Sequence, residues 1–451
     1  MKEWNILDFG ARCSDALQTR PIQDAIDACF LAGGGRVVIP CGVFYTGGLR
    51  IRSNVELYLE AGAILRGSRD WQDYFGYTED QLEPVDMTPK PDGTCGSAWP
   101  TSRWCNALIR AFDAHDFAVI GEKGSYIDGV NCYDPKGERG FSGPHGMTFW
   151  RCNGIRLEGY TFLDSANWCH AIFQSQNITV RKITVLGGHD GVDLRTCDNA
   201  IIENCRFETG DDCVAGFDNH NVIVRNCILN TGCHASRYGG NNILIENCTS
   251  GDSGFAHRRR LSDEGKKYGW RTDANCRHEV QAPFNYYCDF RAKLRRPAEN
   301  ITIRGCSFTN VCELIRVEYD GLHQWCCNSP LREITYEDCT VDGLSQTGMI
   351  WADENERITC HFKNVHISCK EGYEDLPLVV AGNFDRIVFE NCVIEGYTDP
   401  TILVGTDGGK VEVIHSTPIS VKRVAFWECL AAHPHAITPE QIQAVREREQ
   451  G

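Results

Sequence analysis

Through the middle of the chain, an asparagine followed by alternating apolar and polar residues recurs at a nearly fixed step. "NITVRKITV" begins at 177, "NAIIENCRF" at 199, "NVIVRNCIL" at 221 and "NILIENCTS" at 242, steps of 22, 22 and 21 residues. The pattern returns as "NITIRGCSF" at 300, "EITYEDCTV" at 333 and "RIVFENCVI" at 386, with longer inserts between, and an earlier relative, "GIRLEGYTF", begins at 154. Each copy holds two short strand-like runs with an Asn or Asp near the bend, and no helical period separates the copies. A repeat of this length without helices predicts one coil of a parallel β-helix, an all-β, single-stranded solenoid. Leucine-rich repeats are similar in length, but their leucine consensus is absent.

Stacked coils place equivalent residues about 4.8 Å apart. Cys205, Cys227, Cys248, Cys306, Cys339 and Cys392 all occupy the sixth position after the first residue of their repeats, where Ile183 stands in an earlier coil. The position predicts an inward ladder of thiols acting as small hydrophobes. "WCCN" at 325–328 is a separate thiol pair with no CxxC partner at zinc spacing.

Toward the N-terminus the period changes. "TRPIQDAIDACFLAGGG" offers Thr19 as a cap, Pro21 in the first turn, apolar residues at 22, 25, 26, 29 and 30, and glycines after the end, predicting an amphipathic helix that caps the open end of the solenoid. The chain then divides into an N-terminal strand and capping helix over 1–35, a β-helix over 36–430 with a long insert at 254–299, and a helical tail over 431–451.

The same register brings chemistry together. Eleven residues past three of the repeat asparagines stand Gly188, Gly210 and Gly232, so "GHDGVD", "GDDCVA" and "GCHASR" align. Asp190, Asp212 and His234 fall in one column, with His189, Asp211 and Cys233 in the next. Three carboxylates and an imidazole on one sheet edge suit glycosidic hydrolysis, in which one acid protonates the leaving oxygen and one base activates water. A ladder of turn aspartates is the plainer alternative. Calcium is another, although imidazole is a poor ligand for it.

Charge narrows the partners. The net charge of -16 excludes a general nucleic-acid or anionic-membrane binder, while "HRRRLSDEGKKYGWR" at 257–271 gathers six Lys or Arg into one basic segment. No run of 18 apolar residues is present, the first residues lack a basic start followed by an apolar stretch, and the 25 cysteines make an odd count. These features predict neither secretion nor membrane insertion, but reduced thiols in a cytoplasm.

The chain resembles glycoside hydrolase family 28, the polygalacturonase family of right-handed β-helices. The resemblance is carried by "LDFGA" at 7, "GGGRVVIPCGVFYTGGLRIRSNVELYLEAGAILRGS" at 33–68, "NALIRAFDAHDFAVIGEKGSYIDG" at 106 and "NGIRLEGYTFLDSANWCHAIF" at 153. The family's Asn-Thr-Asp is here "GHD", keeping Asp190. Its Gly-Asp-Asp is intact at 210–212, and its Gly-His-Gly is "CHA", keeping His234. The resemblance implies inverting hydrolysis without metal or cofactor, with Asp211 as general acid, Asp190 and Asp212 handling the attacking water, and His234 tuning the acid. The family's Arg-Ile-Lys, which grips a substrate carboxylate, is missing where "SGFAHRRRLSD" stands. His257, Arg258, Arg259 or Arg260 is expected to replace it. His189, Arg237, Tyr319 and Trp168 complete the expected substrate contacts, with packing as the plainer role for Trp168. The implied substrate is a pectin-derived oligosaccharide carrying carboxylates, cleaved from its end if the insert closes the cleft. A uronate lyase or epimerase, or a non-catalytic carbohydrate-binding β-helix, are the other readings.

Overall fold

The computed structural model describes residues 1–74, 106–134, 142–256, 278–288, 295–319, 329–406, 408–432 and 439–450. The chain forms two compact units: Met1–Ala215 with Asn226–Gly232 and Ser253–His278, and Gly216–Arg225 with Cys233–Asp252 and Glu279–Gly451. In both, short strands pair in parallel with the equivalent strand of the next turn of chain.

In the first unit the coils carry three rows of strands where the repeat pattern shows two. One row runs through Asn153–Glu158, Gln176–Arg181 and Asp198–Glu203, and another through Thr161–Leu163, Thr184–Gly187, Arg206–Thr209 and Ile228–Thr231. The third comprises His145–Trp150, His170–Phe173 and Val192–Arg195. Every residue of these three strands is buried. A strand covered on both faces loses the polar alternation that marks the other rows, which is why the sequence hides it.

The step of 22 is exact in space, with Val180 opposite Ile202 and Phe207 opposite Leu229, all at most 2% exposed. The bends explain the repeat asparagines. Asn177 and Asn199 both sit at φ 56°, a left-handed conformation that Asn tolerates better than most side chains. Asn177 also donates to Asn153 at 2.8 Å, so the bends are tied across coils. Inside, Cys205 and Cys227 are buried, and each thiol also donates to a carbonyl of the preceding coil, Val180 O and Ile202 O, at 3.7 Å.

The N-terminal helix, α1, spans Thr19–Leu31 and buries Ile22, Ala25, Ile26 and Cys29. Two expectations change. Gln18 is the cap residue, while the Thr19 hydroxyl instead accepts the Gly47 N–H at 2.7 Å and so ties the helix to the sheet. Phe30 faces outward, with Arg52 over its ring.

The second unit repeats the construction. Asn221, Asn242 and Asn300 lie at φ 54–58° and form a chain of amide hydrogen bonds of 2.5 and 2.9 Å. Cys248, Cys306, Cys339 and Cys392 point inward at 1–3% exposure as free thiols. The expected insert at 254–299 is not one excursion: Ala282–Tyr286 is a strand in register with the chain from His234, pairing His234 with Ala282 and Arg237 with Asn285. This coil lacks the repeat asparagine, so the pattern passes over it. The C-terminal helical region begins earlier than 431, at Phe426–Ala432, and continues at Pro439–Gln450. Phe426, Leu430 and Val445 cover Met349, Trp351 and Val380.

His170 backs the loop at Asp190 from within the core of the first unit. Its Nδ1 meets the Gly191 carbonyl at 2.9 Å, which can only accept, so Nδ1 carries the proton and Nε2 accepts from the Tyr160 hydroxyl at 2.9 Å. Gly191 is required here, because an added Cβ would lie 2.5 Å from both the Cys213 carbonyl and the Phe207 ring.

Two outcomes follow for stability. Cys227→Val keeps an apolar side chain of similar size and is expected to cost under about 1.5 kcal/mol in urea unfolding, whereas Cys227→Asp buries a lone charge and is expected to cost about 3 kcal/mol or more. Burial pushes His170 down to about 4, against the opposing bond to Gly191. The unfolded chain, with an ordinary histidine near 6.5, then binds more protons between these values. Stability is therefore complete above about pH 6.5 and falls by roughly 3 kcal/mol as pH drops to about 4. His170→Gln is expected to flatten that part of the pH profile relative to wild type.

Candidate active site

In the first unit, the loops between the second and third strand rows carry the aspartates. Asp190 belongs to the loop before Val192–Arg195, and Asp211 and Asp212 to the loop after Arg206–Thr209. The ladder fixes their backbones: Cys169 N–H donates to the Asp190 carbonyl and Gly191 N–H to the Asp212 carbonyl, both at 2.9 Å. The hydroxyls of Thr209 and Thr231 converge on the Asp211 carbonyl at 2.6 Å each. Asp211 in turn accepts the Asp212 N–H on its carboxylate at 3.2 Å. The two neighbouring aspartates are thus set by the coil and by this one bond between them.

One carboxylate oxygen from each of Asp190, Asp211 and Asp212 lies within 4.8 Å of the others, and the three residues are 5%, 8% and 2% exposed. The same oxygens are a hard donor set, although calcium takes six to eight ligands and three side chains supply only part of that shell.

Beside this cluster lies a pair that the sequence reading passed over. Arg195 forks onto Asp193 at 2.8 and 3.2 Å, both residues buried, and its guanidinium lies 4.2 Å over the Trp168 ring. Trp168 also meets His145, with ring centroids 5.3 Å apart. Its ring is therefore packed against protein groups, the plainer of the two expected roles. His189 is 4% exposed next to Asp190.

The second unit holds His234, whose ring lies between Cys233, with Sγ 3.3 Å from Nδ1, and Asn285, with its amide nitrogen 3.0 Å from Nε2. Asn285 was not foreseen, since no motif marks its coil. Arg237 stands opposite Asn285, and Asn285 opposite Arg316, giving a row of polar residues across three coils. Arg237 is partly exposed with its guanidinium 4.1 Å over Tyr287. Arg316 is committed to Glu313 at 2.9 and 3.2 Å and to Glu318 at 3.1 Å. Tyr319 is buried, and its N–H donates to the Trp351 carbonyl. His257, Arg258, Arg259 and Arg260, like the thiols of "WCCN", lie outside the described residues. The described coil that pairs with His234 is Ala282–Tyr286, and it places Asn285 next to Arg237.

The family described as "Right handed beta helix region" matches residues 106–250. An "Exo-poly-alpha-D-galacturonosidase" of Dickeya chrysanthemi is 45% identical over 249 residues, covering 47% of this chain and 41% of that protein. A "Probable polygalacturonase" of Vitis vinifera is 27% identical over 235 residues, covering 48% and 45%. The chain spans under half the length of these two relatives. Among solved structures, the family 28 exopolygalacturonase of Yersinia enterocolitica superposes with a TM-score of 0.61 at 18% identity, over 90% of this chain and 79% of that one. The hyperthermoactive exopolygalacturonase of Thermotoga maritima gives 0.51 at 19% identity, over 93% and 92%. The stacked parallel coils, the match to the right-handed β-helix model and these superpositions together show that the chain is built as a right-handed parallel β-helix, similar in fold to the exopolygalacturonases.

Proposed function

We propose that the protein hydrolyses glycosidic bonds of uronic-acid-containing, pectin-derived oligosaccharides, acting from the chain end and inverting the anomeric carbon. The observation that carries this is the cluster of Asp190, Asp211 and Asp212 with oxygens within 4.8 Å, held by backbone ladders rather than by ion pairing with one another. Crowded like charges favour one shared proton, which supplies the acid that protonation of a leaving oxygen requires. In this reading Asp211 gives that proton, Asp190 and Asp212 hold and deprotonate the water between them, and His234, 22 residues past Asp212, keeps the acid's charge state. The exo-acting names of the Dickeya, Yersinia and Thermotoga proteins support attack from the chain end.

Binding of the acidic sugar falls to Arg237 in place of the missing Arg-Ile-Lys. Its cation is partly exposed on the outward row, whereas Arg316 is already forked onto two glutamates. A reducing, cytoplasmic setting is part of the proposal, supported by ladder thiols that stack as free cysteines.

The test is reducing-end release from digalacturonate and from rhamnogalacturonan fragments, with and without EDTA. Release unaffected by EDTA is expected, and Asp190→Asn, Asp211→Asn and Asp212→Asn are each expected to lower kcat by about 10²- to 10⁴-fold. Proton NMR of the first product formed is expected to show the inverted anomer. Unsaturated products absorbing in the ultraviolet, together with a metal requirement, would instead establish a lyase served by the same three oxygens, and no release from any uronide would refute hydrolysis.

Arg237→Ala gives a separate result. Loss of a charged hydrogen bond is expected to raise KM for galacturonate substrates about tenfold or more while leaving the methyl-esterified analogue unchanged. An equal effect on both substrates would remove Arg237 from carboxylate recognition.

A further inference from the structure

The second unit contains a chain of side chains of which the proposed hydrolysis uses only the middle member, His234. Cys233 Sγ is 3.3 Å from His234 Nδ1, and the far nitrogen of the same ring, Nε2, is 3.0 Å from the side-chain amide of Asn285. A nucleophile in hydrogen-bond reach of a base, with the base oriented by a third group, is the arrangement that activates a side chain for attack. All three members are held by the fold. The Cys233 carbonyl accepts the Gln281 N–H at 2.6 Å, and pairing of His234 with Ala282 and of Arg237 with Asn285 sets the amide one coil from the ring.

Cys233 differs in exposure from the ladder thiols of its unit, which are almost fully buried, and burial pushes Cys392 up. Cys233 is partly exposed and its thiol lies in reach of an imidazole nitrogen, a setting in which the thiol proton has an acceptor.

We propose that Cys233, His234 and Asn285 form an activated thiol site that reacts with soft electrophiles, peroxides being the class that meets it in a cell. The thiol proton passes to His234 Nδ1. The Asn285 amide, turned by half a rotation, accepts the Nε2–H of the resulting imidazolium through its oxygen. The thiolate attacks one peroxide oxygen, the O–O bond breaks, and the leaving hydroxide takes the proton from the imidazolium. Thiol and hydrogen peroxide thereby become sulfenic acid and water. A modified Cys233 crowds His234, so the reaction would switch hydrolysis off. That consequence rests on the function proposed above, while the reactivity of the thiol does not.

The experiment maps iodoacetamide labelling of the full chain by peptide mass spectrometry over a pH series. Cys233 is expected to label about tenfold or more faster than the exposed Cys13 and Cys41, with a rate that levels off below the ~8.5 of an ordinary thiol. His234→Gln and Asn285→Ala, each checked for a wild-type melting temperature, are expected to bring that rate down to that of Cys13. Peroxide treatment is expected to place dimedone-trapped sulfenic acid on Cys233. Labelling of Cys233 no faster than Cys13 or Cys41, or a rate unmoved by Asn285→Ala, overturns the site. Fast labelling in a protein that releases no sugar from uronides keeps this site and overturns the hydrolase.

Discussion

Everything in this protein depends on one constraint, that each turn of chain must pair in parallel with the next at a fixed register. Parallel strands cannot be joined by tight hairpins, so the chain returns through a full coil, and its bends recur at the same places. Those bends need left-handed backbone, which asparagine accepts and which φ values of 54–58° record at Asn177, Asn199, Asn221, Asn242 and Asn300. Because the bends repeat, their amides lie within hydrogen-bond reach of one another. Polar groups that a bend would otherwise leave to solvent thus add a tie along the fibre axis.

The constraint also decides where chemistry can reside. Inward positions are fixed by packing, as the thiol ladder shows, where a residue larger or more polar than cysteine would disturb its neighbours above and below. Loops between the second and third rows escape this, because only their backbones must pair. Asp190, Asp211 and Asp212 occupy these loops, with carbonyls and N–H groups satisfied by the ladder and by Thr209 and Thr231. A cluster of like charges costs stability, and the cost is carried by a scaffold whose strands are secured elsewhere.

Legibility in the sequence follows the same division. The first and second rows were readable because one face of each strand meets solvent, which leaves alternation, and the aspartate columns followed from counting. The third row was not, since strands such as His170–Phe173 are buried on both faces and carry no alternation. Asn285 was hidden for a different reason: its coil lacks the bend asparagine, so residues 282–286 read as part of an insert although they continue the ladder. Thr19 was misplaced because a hydroxyl at a helix start suits a cap equally well as a tether, and only the position of Gly47 decides between them.

The departures from the family's motifs can be understood in these terms. Where Gly-His-Gly is expected, the chain has Cys233, His234 and Ala235, and the described coil that pairs with them is Ala282–Tyr286, which carries no cation. A lysine or arginine at position 285 would bring a cation to His234 Nε2 and disfavour a second positive charge on the ring. An asparagine there offers a neutral amide that serves the ring in either charge state. In the thiol site proposed above, that neutral amide leaves the imidazole free of a cation from the strand paired with it. Under the function proposed above, meeting a substrate carboxylate falls to Arg237, whose guanidinium is already oriented by the face of Tyr287.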